Sequence, residues 1–337
     1  MKLEDLDRPP VAVFTQSATV AQMDAVGAAW PEAHKDAKLM AKLAAAQHDH
    51  NGTECYRTCF CLTAEAERLG CGVLVEKKTD APMMKSHPFK FDPLGGEYDD
   101  PSKIMAFDEF VKGGRVAEIL KSCEILRKEY DSANVPIVAG NTGPFTLTGH
   151  LVNTENLIFG MMMDPDQVTT WVNAVNPIVT KYSQALIDAG ADIIQMSEPS
   201  GSTDMLSPDM FHVPAEAVKA SLGATKGGYG NILHICGDTT PILDQMAAIG
   251  GSVVGVSIEE KVAPEKAYEL VGGKTVLVGN VGSVKPLFTG TPEEVKEGTL
   301  RSCKAGFSII SSGCGIATGT PDANYNMMVE TVKAFTR

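Results

Sequence analysis

Two short segments of this chain carry residue types that could hold a metal ion. One reads Asn231-Ile-Leu-His-Ile-Cys-Gly-Asp238, the other Ser311-Ser-Gly-Cys-Gly-Ile316. In each, an apolar stub runs into a glycine, the pattern of a short buried strand ending in a turn. Residues i and i+2 of a strand point to the same side. His234 and Cys236 can therefore aim an imidazole and a thiolate at one point. Cys314, from another strand end, adds a third donor. Three such donors with one position left open is the ligand count of a catalytic zinc site. The competing reading is a buried histidine and two packing cysteines, since a free Cys often behaves as a small apolar residue.

The elements that must position these donors are legible as alternation. Apolar, β-branched runs occur at Val135–Ala139, Asp192–Met196, Ile232–Ile235, Val253–Ser257, Thr275–Val278 and Phe307–Ile310. Helical patterns separate them at Asp166–Ala189, Pro241–Ile249, Pro292–Ala305 and Asp322–Phe335. Strand and helix in turn predict βα units around a parallel sheet. An earlier strand is expected at Val11–Phe14, and two more near Gly52 and at Val73–Val75. About eight strands favour a closed (β/α)8 TIM-type barrel over a doubly wound sheet. No linker divides residues 1–337, so a single domain is expected. Residues 17–130, richer in helix and loop, are expected as an elaboration over the barrel mouth. Polar residues cluster at the strand ends: Asn141, Ser197 and Glu198, His234 and Cys236, Glu259 and Glu260, Asn280, and Cys314. The C-terminal strand ends are where such barrels do chemistry.

Composition narrows the functional classes. The chain has 337 residues, 44% hydrophobic and 21% charged, an ordinary globular mix. A net charge of −13 argues against a nucleic-acid partner. No run approaches the roughly 18 apolar residues of a membrane span. Met1–Pro10 is charged and lacks the apolar stretch of a signal peptide, so a cytoplasmic protein is expected. The eight cysteines then read as thiols or metal ligands rather than disulfides. Among them Cys55, Cys59 and Cys61 fit no zinc-knuckle or iron–sulfur spacing, and read as small apolar packing.

A set of ordered landmarks resembles the uroporphyrinogen decarboxylase superfamily. They are Gly140-Asn-Thr-Gly-Pro-Phe-Thr-Leu147, Leu206-Ser-Pro208 with Phe211 and Pro214, His234 with Gly237, Val278-Gly-Asn-Val281, and Gly313-Cys-Gly-Ile316 followed by Thr320-Pro321. The decarboxylases of that superfamily carry Gly-His-Gly where this chain has Gly313-Cys-Gly315, and they lack a thiol two residues after the histidine. The H-x-C pair with a cysteine 78 positions further on is similar to the methylcobamide:coenzyme M methyltransferases of methanogens. Phe14–Val20, Trp30–His34 and Thr63–Glu67 look like the same branch. The first two lean towards its methylamine-pathway rather than its methanol-pathway version.

The resemblance implies methyl transfer from a methylated Co(III) corrinoid to the thiol of coenzyme M, in methanogenesis from methylated one-carbon compounds. It implies one zinc per chain held by His234, Cys236 and Cys314. Coordination would deprotonate the thiol, and two anionic cysteines would keep it nucleophilic. Glu259, continuing its strand, is expected to fill the open position before substrate arrives and to accept the thiol proton. The alternative is that Glu259 and Glu260 form a solvated turn. Asn141, Asn280, Gln16, Arg57 and Ser197 are candidates for binding the substrate, the first four for its sulfonate. No D-x-H-x-x-G corrinoid motif occurs, so the methylcobamide should arrive on a partner corrinoid protein. Two other functions remain in view: a metal-free, uroporphyrinogen decarboxylase-like lyase, and a non-catalytic module that docks a corrinoid protein or stores metal.

Overall fold

The computed structural model describes residues 6–15 and 18–336. Gln16 lies outside them. Seven strands form one parallel sheet in chain order: β1 (Tyr56–Thr58), β2 (Ile137–Thr142), β3 (Ile193–Ser197), β4 (Asn231–His234), β5 (Val253–Ser257), β6 (Val276–Val281) and β7 (Ile309–Ser312). The segment Val11–Phe14 fills the gap between β7 and β1. The Ala12 N–H donates to Ile310 and the Ile310 N–H donates to Pro10, while the Val11 carbonyl accepts from Glu54. The barrel is thus of the expected TIM type, with its eighth place held by a single parallel bridge rather than a full strand.

Two expectations shift. The strand expected near Gly52 is β1, a few residues later. Val73–Val75 does not join the barrel: Gly72–Leu74 pairs antiparallel with Met83–Ser86 in a separate two-stranded sheet. Residues 17–130 contribute β1 to the barrel wall as well as loops at its mouth.

The parallel strands are nearly continuous apolar runs because helices cover them outside while the barrel fills inside. The interior plug is Ala12, Phe14, Cys55, Val138, Ile232 and Val278. The larger core lies between sheet and helices and includes Trp171, Tyr182 and Phe145. Helix starts follow the chemistry of their first turns. Pro165–Asp188 is capped by the Asp164 carboxylate on the Gln167 N–H, and Pro292–Lys304 opens with a Thr291–Glu294 capping box. Among the described residues no helix is long and apolar enough to cross a membrane.

The strands run further than their apolar runs. Asn141 and Thr142 pair with Met196 and Ser197, and Asn280 and Val281 pair with Ser311 and Ser312. Backbone pairing does not need an apolar side chain, provided the polar one finds a partner inside. Asn141 finds Ser183 Oγ at 2.8 Å.

Glu198, just after β3, ties two βα units together. Its carboxylate accepts from the N–H groups of Phe145 (2.9 Å) and Thr146 (2.6 Å) and from the Thr146 hydroxyl, at the start of helix Pro144–Val152. Complete burial outweighs these donors and pushes Glu198 up to about 7. A carboxyl raised on folding contributes stability that is full below its unfolded pKa and is lost as pH rises through its folded pKa. Glu198→Gln should therefore reduce the fall of Tm between about pH 4.5 and pH 7. A smaller slope should remain from Glu65, which burial also raises to about 7. Thermal melts across that range would show the change, and an unaltered slope would contradict it.

A candidate metal centre at the barrel mouth

β4, β5 and β7 deliver four donors to one point. His234 ends β4, and Cys236 lies two residues on. Glu259 follows β5 by two residues and Cys314 follows β7 by two. His234 pairs in register with Ser257 of β5. Its Nδ1 meets the Ser257 carbonyl at 3.1 Å and the Ser257 hydroxyl at 3.2 Å. A carbonyl only accepts, so Nδ1 carries the proton and Nε2 presents its lone pair. That Nε2 lies 3.4 Å from Cys236 Sγ, which lies 3.6 Å from Cys314 Sγ. With a Glu259 carboxylate oxygen, all four ligand atoms fall within 4.8 Å of one another.

These spacings suit a tetrahedral ion. Zn–N near 2.0 Å and Zn–S near 2.3 Å imply N–S edges of about 3.6 Å and S–S edges of about 3.8 Å. The two sulfur edges here are close to those values. Two thiols, an imidazole and a carboxylate are also a donor set that zinc accepts readily.

Electrostatics point the same way. Three acids crowd a half-buried volume, and they cannot all ionise without a cation. The two thiols share a hydrogen bond in which either could donate; that bond, with His234 beside it, favours the thiolate on Cys314 and holds it well below the usual thiol range. Cys236 is pushed far up, first by that shared hydrogen bond and then by burial. Burial, then the Cys314 charge, raises Glu259. Burial alone would lower His234, but the Cys314 thiolate and Glu259 outweigh it and raise it. A divalent cation would remove the conflict by ionising both thiols.

Backbone contacts fix the donors in place. The Ser202 hydroxyl donates to the Cys236 carbonyl at 2.7 Å, and the Cys314 N–H donates to Ser283 Oγ at 2.9 Å. At Gly313, an added Cβ would stand 3.0 Å from Glu259 Cα. The missing side chain lets the end of β7 lie against the turn that carries Glu259.

The cluster opens on a cavity of about 500 Å³, whose wall includes His234, Cys236, Cys314 and Ser197. Asn141, Asn280 and Arg57 are not on that wall. Arg57 is fully buried and donates to the Phe14, Thr58 and Cys59 carbonyls and to Gln195 Oε1. Its donors are committed to the barrel interior, which leaves it no reach to a sulfonate in the cavity. Glu260 is exposed, and Glu259 alone of the two glutamates joins the donor cluster.

The structure also adds wall residues that sequence reasoning missed. Trp30, Phe60 and His150 face the cavity, and so does Cys61. Cys55, Cys59 and Cys61 all pack in the cores as expected, and Cys61 also borders the cavity and a cation. Its sulfur accepts from Arg115 Nη1 at 2.8 Å. The neighbouring Cys59 thiol and then Arg115 hold it well below the usual thiol range. Nothing in the C-x3-C-x-C spacing announces a guanidinium that comes from 54 positions away.

A thiol-rich donor cluster at the mouth of a TIM-type barrel defines a site that could hold a metal ion at the position where this fold does chemistry. Residues 1–335 match the family model described as uroporphyrinogen decarboxylase (URO-D). The chain belongs to this family, in its methyltransferase branch. The methylcobamide:CoM methyltransferase MtbA of Methanosarcina acetivorans is 34% identical over 99% of this chain and 96% of the relative. The methylcobamide:CoM methyltransferase MtaA of Methanosarcina barkeri is 31% identical over 96% of this chain and 92% of the relative. A solved methyltransferase from Methanosarcina mazei superposes with a TM-score of 0.90 at 32% identity, covering 97% of this chain and 94% of its own.

In chelator-treated protein, iodoacetamide at about pH 6 should label Cys314 in preference to Cys236, with Cys61, the other thiol held low, as the one further reactive site. Cys55 and Cys123, which burial pushes up to about 12, should stay unlabelled. Peptide mass mapping reads the outcome, and preferential labelling of Cys236 would contradict the polarity assigned to the pair.

Proposed function

We propose that this chain transfers a methyl group from a methylated corrinoid, carried by a partner protein, to the thiol of coenzyme M. The observation that carries the reading is the convergence of His234 Nε2, Cys236 Sγ, Cys314 Sγ and a Glu259 oxygen, the first three of these residues on the wall of the cavity. Full-length kinship to proteins named methylcobamide:CoM methyltransferases supports it. His234, Cys236 and Cys314 would hold one zinc ion, with Glu259 as the fourth, displaceable donor. Zinc bound there would supply Lewis acidity that favours a thiolate at neutral pH, while two anionic cysteines keep that sulfur electron-rich.

The chain's own groups supply the rest. Glu259, raised by burial and then by Cys314, is suited to take the thiol proton on its carboxylate. Ser257 holds His234 in the tautomer a ligand needs. Trp30, Phe60 and Ile316 make the cavity wall largely apolar, which limits water around the nucleophile. The substrate sulfur attacks the methyl carbon, the C–S bond forms as the Co–C bond breaks, and the electron pair stays on cobalt as Co(I). Ser197, on the cavity wall, remains the candidate for orienting the substrate. Asn141, Asn280 and Arg57 have internal partners instead. We read residues 1–337 as one domain, acting in the cytoplasm in methanogenesis from methylated one-carbon compounds, with neither nucleic acid nor membrane as partner.

Metal analysis of protein never exposed to chelator should find about one zinc per chain. The chain should demethylate free methylcobalamin in a coenzyme M-dependent reaction. Cys236→Ala and Cys314→Ala should each cut that rate by more than about 100-fold. Normal rates in both variants would refute the proposed chemistry.

A further inference from the structure

Glu259 stands in the turn after β5, and no strand pairing reaches it. We propose that Asn280, on β6, is the positioning residue that presents Glu259 to the metal centre. The inference rests on the reading of Glu259 as a metal ligand. Asn280 is buried, and its amide faces the turn rather than the cavity. Its Nδ2 donates to the carbonyls of Glu259 at 3.2 Å and Val262 at 2.7 Å. Its Oδ1 accepts from Ser302 Oγ at 3.0 Å, which anchors it to helix Pro292–Lys304.

Two neighbouring contacts hold the same turn. The Ile258 N–H donates to the Val278 carbonyl at 3.1 Å. At Gly279 an added Cβ would lie 2.6 Å from the Ile258 oxygen, so a side chain there would push the turn away. Three successive residues, Val278 to Asn280, therefore grip the segment from Ile258 to Val262. The Val262 N–H closes the turn on the Glu259 carbonyl at 3.2 Å, so this carbonyl receives two donors. With its backbone held from that side, the Glu259 side chain is directed towards Cys314 and His234.

The task needs an amide. The Val262 carbonyl takes a donor from it, the Glu259 carbonyl a second one, and the Ser302 hydroxyl an acceptor beside the Gly298 carbonyl at 3.3 Å. Asparagine offers both in one plane. Aspartate would set an anion against two carbonyl oxygens, and an aliphatic side chain would leave buried acceptors unsatisfied. Asn280 touches no ligand atom, so it acts through Glu259 and is a positioning residue.

Zinc affinity, measured by competition with a chromophoric chelator, tests this in a double-mutant cycle. Asn280→Ala should weaken zinc binding by about 10- to 100-fold, the size typical of losing an outer-shell partner, and Glu259→Gln by at least as much. Adding Asn280→Ala to Glu259→Gln should change affinity by less than about twofold, since both act through one carboxylate. The d–d band of the cobalt(II)-loaded protein should shift alike in the two single variants, which a role in fold stability alone would not produce. Multiplying effects would overturn the proposal. If Glu259→Gln weakens binding and Asn280→Ala does not, only the Asn280 assignment falls. If Glu259→Gln leaves affinity unchanged, Glu259 is not a ligand and both readings fall. Should Asn280→Ala fail to fold, Ser302→Ala releases one end of the amide, and a smaller shift confined to the same cycle is expected.

Discussion

Parallel register between neighbouring strands sets the height of every donor at the barrel mouth. His234 is level with Ser257, and Ser197 is level with His234. A register change of one residue would turn each side chain to the opposite face. The imidazole would lose the carbonyl that fixes its tautomer, and His234 and Cys236 would turn together away from Glu259 and Cys314. The site depends on this pairing more than on any single ligand, because the pairing makes the ligands simultaneous.

Convergence has an electrostatic cost in the absence of a metal. Cys236, Cys314 and Glu259 compete for protons in a volume too small to hold three separate charges. The hydrogen bond between the two thiols is how the metal-free chain resolves the competition. A divalent cation resolves it differently, by ionising both sulfurs. This makes metal binding and proton release one event at this site. Asn280, Gly279 and Gly313 hold the Glu259 turn close to this crowded volume, where its own charge tends to push it away.

Much of the fold was legible because parallel strands buried on both faces leave a repeating apolar signal. Val253–Ser257 is seen with the bounds its composition implied, and the helices Pro165–Asp188 and Pro292–Lys304 differ from the expected bounds by a residue, while Pro144–Val152 and Thr154–Met163 were not foreseen. The errors came where side-chain polarity and backbone pairing part company. β2 and β6 run on through Asn141 and Asn280, whose amide nitrogens find acceptors inside the molecule. Val73–Val75 has strand-forming residues, but its partner is a local hairpin rather than the barrel. The eighth place in the ring is a lone bridge at Val11, which no local pattern distinguishes from a strand.

The sequence by itself determined which chemistry was available. The H-x-C pair, the distant Cys314 and the family landmarks identified soft donors at strand ends, because those are properties of residue type and local order. Tertiary structure alone decided which candidates share a space. Arg57 and Asn280 looked like anion binders, yet one is sealed inside the barrel and the other grips a turn. Cys61 packs in the core as its spacing suggested, and only the fold adds that it also borders the cavity beside Arg115. Glu259 was favoured on paper because it continues its strand, and it is the one of the two glutamates that shares a space with the other donors. The physical reason is that a side chain's role follows from its partners, and those partners lie dozens to hundreds of residues away, where no spacing rule reaches.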